Sequence, residues 1–364
     1  MRKHDVYNQL LDGLGDVYGG ITNRVIFSRA IREMFTQEEC EIWLLFPTHE
    51  EEPAALESIR PAYDAPGFDD AFHHLLETSF ITQWNEDSDN PRYVRNFMFN
   101  LMLAHNIQHE DSLIAVALAD WFNILREGAT SKIRIPSPEY RVVPYENALT
   151  GNRELGEIPL NLEIPDTREV VTYDYVTQML KKAWLIVVSP CFCRSSKEAM
   201  GIRECNHPIE VCLLFNKLAK DSLSYGEGRV IDMEEALEIV KQCRERGLVH
   251  QISNSREPSI LCNCCTCCCG IIGGYLNGDY TAGKPSRYTV NWKQPTCINC
   301  GKCAKVCPVH NMVFKDGVLS VGGSACIGCG LCVSRCPAGS LSLRIRTDAG
   351  KYLPDREKLD YLFL

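Results

Sequence analysis

The chain has 364 residues, with 38 Lys+Arg against 47 Asp+Glu for a net charge of −9, and 45% of its residues are hydrophobic. That length suggests two or three domains, and that apolar content is enough to fill real cores, so a mainly disordered chain is excluded. The N-terminus MRKHDVYNQLLDGLGDVYGG lacks an apolar signal region, and no stretch approaches the roughly 18 to 20 apolar residues of a membrane span, so a soluble cytoplasmic protein is expected.

In that compartment thiols stay reduced, and twenty cysteines therefore read as metal ligands and not as a disulfide framework. Cys40 stands alone in the first half, residues 41–190 hold none, and the other nineteen fall between Cys191 and Cys336. The chemistry is expected in the second half.

In chain order, residues 1–130 read as a mostly helical module. Thr36 with Glu39 three residues on has the form of a capping box opening the apolar-periodic run Glu41 to Phe46. Glu51-Glu52-Pro53 reads as the start of a second short helix, and Phe68-Asp69-Asp70 as that of a third carrying Phe72, Leu75, Leu76 and Phe80. Three short helices followed by the alternating segment Arg92 to Phe99 resemble a winged-helix module. Such modules often bind DNA, but residues 48–90 hold eleven acids against the single base Arg60, the wrong sign for phosphate. No nucleic-acid partner is expected, and docking to a protein suits the acidic face better.

An apolar helix at about Ser112 to Leu125 leads into a loop-rich linker, 131–170, with Pro136, Pro138, Pro144, Pro159 and Pro165. A cysteine-rich domain of α/β kind is expected over 171–290, opening with a helix from Tyr173 to Ala183 and a buried strand Trp184 to Val188 that delivers the chain to Cys191. Asp232, with Glu235 three residues on and Gly247 as the stop, predicts a further helix whose apolar face carries Met233, Ala236, Leu237 and Val240. Cys243 continues that face and reads as a core residue, as does Cys40 on its own short helix.

Residues 291–347 hold an internal repeat, followed by a tail at 348–364. Cys297, Cys300, Cys303, Cys307 and Pro308 recur 29 residues later as Cys326, Cys329, Cys332, Cys336 and Pro337. Both copies are C-x2-C-x2-C-x3-C-P, the two-cluster ferredoxin spacing. Three cysteines on a tight loop take three irons of one cube, and the fourth, aimed away by proline, reaches the other. One [4Fe-4S] cluster is thus expected on Cys297, Cys300, Cys303 and Cys336, the other on Cys326, Cys329, Cys332 and Cys307. Gly301, Gly328 and Gly330 are expected to let the backbone approach the sulfurs. Zinc ribbons share C-x2-C, but not this eightfold arrangement with both prolines and the β-like segments Met312 to Phe314 and Leu341 to Ile345.

The middle constellation is less regular: Cys191, Cys193 and Arg194; Cys205 and His207; Cys212; and the run Cys262, Cys264, Cys265, Cys267, Cys268, Cys269. Ten cysteines exceed the needs of one zinc, so one or two further iron-sulfur clusters fit best, with zinc or metal-free redox thiols as alternatives. Adjacent cysteines of an extended run point to opposite sides, so the run serves a cluster on each face or folds around one. Cys191, Cys193, Cys205 and Cys212 form one candidate quartet. His207 reads as a ligand, a donor to a cluster sulfur, or a turn residue. Arg194 reads as a fixed cation that stabilises a reduced cluster, or else as a partner of Glu198.

CFCR, ECNHPIEVC, GLVHQISN, CNCCTCCCG and the two ferredoxin motifs, in that order, resemble a family of multi-cluster 4Fe-4S ferredoxin-domain proteins of anaerobic bacteria and archaea. The resemblance implies a winged-helix-like front and a ferredoxin tail, and it brings no assigned reaction. Val309-His310-Asn311-Met312 departs from the small and β-branched residues that usually follow the first Cys-Pro. The expected class is α+β. The expected function is low-potential electron transfer from the two ferredoxin clusters to a middle cluster and a redox partner protein, with homo-oligomer formation left open. Catalysis at the middle cluster, as an oxidoreductase component, and a redox-sensing DNA-binding regulator are the rivals. No dinucleotide fingerprint and no phosphate-binding loop is present.

Overall fold

In the computed structural model the described residues are 6–10, 28–29, 31–33, 35–47, 51–63, 66–77, 80–83, 89–95, 138, 140–150, 175–199, 201–224 and 226–354. The expected helix at 112–125 and the end of the alternating segment at Phe99 lie outside them.

The first unit is built on its capping box. Thr36 Oγ1 accepts the Glu39 amide at 3.2 Å, the Glu39 carboxylate accepts the Thr36 amide at 2.6 Å, and helix α1 runs Gln37–Leu45. The second helix begins later than expected, at Leu56–Ile59 (α2). Ala54 exchanges both backbone hydrogen bonds with Tyr93, at 3.0 and 2.8 Å, which holds the chain extended up to Ala55. Helix α3, Phe68–Glu77, is followed by an antiparallel pair, β1 (Ile81–Gln83) and β2 (Tyr93–Arg95). Trp43, Phe46, Phe72 and Phe80 fill the core between them, and Trp43 Nε1 donates to the Phe80 carbonyl at 2.8 Å. These elements do not establish a winged helix.

The central sheet has seven strands in the order β6-β4-β5-β8-β7-β3-β9. They are β3 (Tyr140–Val142), β4 (Ile186–Pro190), β5 (Glu210–Phe215), β6 (Arg229–Val230), β7 (Val249–Ser253), β8 (Ile260–Cys264) and β9 (Gly283–Lys284). β3 thus arises inside the stretch read as a linker. Every pairing is antiparallel except β3 with β9, so the buried strand expected in an α/β setting belongs to an antiparallel sheet. The connection from β7 to β8 is short and returns the chain directly beside its predecessor, while β4 reaches β5 through a helix and the irregular segment 202–208 and still pairs with it antiparallel. The strand starts two residues later than expected, and Trp184 stays outside the sheet. Helix α4 (Glu146–Thr150) follows β3, α5 (Val176–Lys182) precedes β4, α6 (Phe192–Ala199) follows it, and α7 (Asn216–Ser224) follows β5. Helix α8, Met233–Glu245, is capped as expected, with Asp232 accepting the Glu235 amide at 2.8 Å. Helix α9, Gly270–Leu276, follows β8.

The C-terminal unit pairs β10 (Tyr288–Trp292) with β13 (Leu341–Ile345) and β11 (Met312–Lys315) with β12 (Val318–Val321). Short helices α10 (Lys302–Val306) and α11 (Leu331–Ser334) follow the cysteine loops. This unit is not appended loosely. One apolar core runs from Tyr140 and Val142 through Ile272 to Cys332 and Leu341. Tyr145 donates its amide to the Cys329 carbonyl at 3.0 Å, Ser334 Oγ lies 3.1 Å from Asn147 Oδ1, and Arg335 donates to the Glu245 carbonyl at 2.6 Å. Among the described residues no helix is long and apolar enough to cross a membrane.

Candidate metal centres

The repeat gathers its eight cysteines around two cavities. One is lined by Cys297, Cys300, Cys303 and, from the other copy, Cys336. The second is lined by Cys326, Cys329, Cys332 and Cys307. Backbone amides already point at the thiols: Asn311 N to Cys307 Sγ at 3.2 Å, Gly328 N to Cys326 Sγ at 3.4 Å, and Ser340 N to Cys336 Sγ at 3.3 Å. Such donors stabilise thiolate and cluster charge. The donor set, all thiol with converging amides, fits a [4Fe-4S] cube in each cavity. Gly328 and Gly330 have φ of 70° and 81°, as the tight loops require. What a Cβ at Gly328 would strike, however, is Ser286 Oγ and the Tyr288 carbonyl, so this glycine admits the neighbouring strand and not a sulfur.

Antiparallel pairing carries the middle cysteines to one end of the central sheet. Cys191 and Cys193 follow the C-terminal end of β4, Cys212 lies near the start of β5, and Cys262 and Cys264 close β8, whose Leu261 opposes Leu213. Cys262 and Cys264 are two residues apart and share a face. The chain then turns through 266–268, and Cys269 returns as the N-cap of α9.

Six of these thiols close a ring of side-chain contacts: Cys191 touches Cys193 and Cys212, Cys193 touches Cys269, Cys269 touches Cys264, Cys264 touches Cys262, and Cys262 touches Cys212. Hydrogen bonds from the Cys193 thiol, and then from Cys212, hold Cys191 well below the usual thiol range. Cys269 is held low in the same way by Cys193 and Cys264, and additionally by the Ile272 amide. The other four cysteines form a separate group, Cys205, Cys265, Cys267 and Cys268, with all Sγ atoms within 4.8 Å of one another. The run from Cys262 to Cys269 therefore serves two groups. The quartet of Cys191, Cys193, Cys205 and Cys212 is not brought together, because Cys205 sits on the irregular segment 202–208 and faces the 265–268 turn. Cys243, fully buried, belongs to neither group, and burial pushes its thiol up to about 12. Cys40 packs in the N-terminal core.

Arg194 lies between the two groups. It is fully buried, and its guanidinium donates to the Pro208 carbonyl at 3.0 Å and the Asn263 carbonyl at 2.6 Å. Burial alone would lower its pKa, but the thiolates of Cys191, Cys265, Cys212 and Cys264 outweigh it and hold the charge in place. Glu198 pairs instead with Arg203, at 2.8 Å, which leaves Arg194 to the thiolates; Arg203 itself also reaches Cys205. His207 stands outside the four-cysteine group, and burial lowers its pKa.

Sequence patterns assign no role to Gln251, although it lies within the GLVHQISN motif, nor to Tyr275 and Tyr280. Gln251 Nε2 donates to Cys264 Sγ at 3.1 Å and toward Cys269 Sγ at 3.6 Å, while the Tyr275 hydroxyl lies 3.1 Å from the Lys284 carbonyl and 3.4 Å from Gln251 Oε1, so the two oxygens share its one proton. Tyr275 stacks on Tyr280 with ring centroids 5.2 Å apart, and Tyr280 lies within the electrostatic reach of Cys326. Phe192 and Cys193 also pack against the N-terminal core, which thereby covers one side of the ring.

A family model described as a 4Fe-4S dicluster domain matches residues 291–343. No curated protein and no solved structure matches the chain. The C-terminal unit is thus of ferredoxin type, and the chain is an iron-sulfur protein of mixed helix and strand.

Proposed function

We propose that the chain is an electron-transfer protein whose two ferredoxin clusters communicate with a third cluster held by the ring of Cys191, Cys193, Cys212, Cys262, Cys264 and Cys269, in the service of a partner redox protein. The carrying observation is the connection: Tyr280, within electrostatic reach of Cys326, stacks on Tyr275, whose hydroxyl lies 3.4 Å from Gln251, the donor to Cys264. Cys297, Cys300, Cys303 and Cys336 would hold one [4Fe-4S] cluster, and Cys307, Cys326, Cys329 and Cys332 the other. The clusters, when bound, supply one-electron chemistry. The chain's own residues supply thiolate ligands, amide and Gln251 donors to sulfur, the buried Arg194 charge, and exclusion of water from the ring. Among the described residues no cysteine is joined in a disulfide, which suits a role as metal ligands.

A second reading makes the ring a catalytic centre of an oxidoreductase. Its six thiols outnumber the four that one cube takes, and this surplus favours that reading.

The test is iron and sulfide analysis of the full chain purified without oxygen, with EPR after dithionite reduction. Unaltered protein should hold at least about twelve irons, four per cube. Cys264→Ser should lose the iron above about eight while the two ferredoxin signals persist. Eight irons in both proteins, with identical spectra, would overturn the relay.

A further inference from the structure

Four cysteines of the middle region stand closer together than the rest. The Sγ atoms of Cys205, Cys265, Cys267 and Cys268 all lie within 4.8 Å of one another, with Cys205 to Cys268 at 3.8 Å and Cys267 to Cys268 at 3.7 Å. A tetrahedral zinc with Zn–S bonds of about 2.3 Å has sulfur-to-sulfur edges of about 3.8 Å. In a cube each thiolate binds a different iron, so the four sulfurs are separated by the body of the cluster as well as by their own bonds. The chain supplies its own contrast. Among the described residues this is the one set of three or more ligand atoms that closes so far, and neither ferredoxin quartet does.

We propose that Cys205, Cys265, Cys267 and Cys268 bind a single tetrahedral zinc ion, a structural site distinct from the iron-sulfur sites. Four thiolates fill the coordination sphere and leave no open position, as in structural and not catalytic zinc. The ion has no redox chemistry of its own, so it stores no electron from the neighbouring ring. Its place in the fold gives it a task. The segment 202–208 has no regular secondary structure, and the four-cysteine group ties it to the turn that follows β8, 63 residues away. Arg194 makes a second tie between the same two regions through Pro208 and Asn263. Cys264 and Cys269 flank the turn, so clamping it fixes the two ring thiols at its ends. Zinc binding would thus preorganise the ring, and the free energy of metal binding would appear as local folding energy.

This proposal goes beyond the relay and stands without it. The experiment uses the full chain, purified anaerobically and washed with chelator, with zinc, iron and sulfide measured together. One zinc per chain is expected. Cys205→Ser should lose the zinc while the roughly eight irons of the two ferredoxin cubes stay in place. Absence of zinc from the unaltered protein overturns the proposal, as does a zinc content that the substitution leaves intact. Should that variant fail to fold, zinc-edge X-ray absorption of the unaltered protein decides. Four sulfur neighbours at about 2.3 Å support the site, and absence of zinc or a shell of nitrogen and oxygen overturns it. Failure of the relay would appear separately, in the iron count and EPR of Cys264→Ser.

Discussion

Arg194 is the residue at which burial, charge and chemistry meet. A guanidinium removed from water is tolerated only against compensating negative charge and hydrogen-bond acceptors, and here it has two carbonyls and the thiolates of both cysteine groups. A fixed cation favours the more negative, reduced state of a neighbouring cluster and so raises its potential. Arg194→Met should therefore lower the potential of the ring cluster by on the order of 60 mV, the equivalent of about 1.4 kcal/mol for one electron, with the ferredoxin potentials less affected. An EPR-monitored redox titration reads the shift. A ring potential equal to that of the unaltered protein would remove Arg194 from the redox role and leave it a structural tie.

At the scale of elements, the seam between β9 and α9 controls the Tyr275 position. A Cβ at Gly283 would collide with the Tyr275 hydroxyl and with Ile271 Cγ2. Gly283→Ala should then destabilise the protein by about 1–3 kcal/mol, as overpacking does, and should displace Tyr275 from Gln251 and Tyr280. Thermal unfolding measures the first effect. The second should appear as slower equilibration between ferredoxin and ring signals in rapid-freeze EPR, and unchanged kinetics in a destabilised variant would sink the role of Tyr275. Helix caps such as Thr36 with Glu39 and Asp232 with Glu235 were legible in the sequence because their partners lie three residues apart. The eight ferredoxin cysteines were legible because their spacing repeats. The division of the middle cysteines into six and four was not, since it follows from β4–β5 and β5–β8 pairing and from the course of 202–208, which no local pattern encodes. Gln251 lay within a recognisable motif, yet its function depends on the β7–β8 register that places it opposite Cys262.

For the whole molecule, exposure gives the relay a direction. Around the Cys297 cavity, Cys300 is exposed and Ile298 is 63% exposed, whereas Cys329 and Cys332 of the second cavity are buried against the central domain. The ring lies deeper, with Phe192 and Cys193 packed under the N-terminal core. In the proposed relay an external protein donor would meet the Cys297 site first, and the ferredoxin unit, residues 291–347, with Lys293, Lys302, Lys305, Lys315, Arg335, Arg344 and Arg346 against the single acid Asp316, would favour an acidic donor face whose association slows as salt rises. Cys336→Ser distinguishes this order from its alternatives, because Cys336 lines the Cys297 cavity although it belongs to the second motif. The variant should lose or alter the outer cluster signal while the Cys326 signal persists. Its ring should still be reduced by dithionite, a small reductant, but about tenfold or more slowly by a protein donor, each tenfold representing about 1.4 kcal/mol of added barrier. Damage confined to the Cys326 signal would overturn the crossed ligand sets. A normal outer-cluster loss with undiminished reduction by the protein donor would place the entry point elsewhere, and would make the partly exposed edge of the cysteine ring the face that meets the partner.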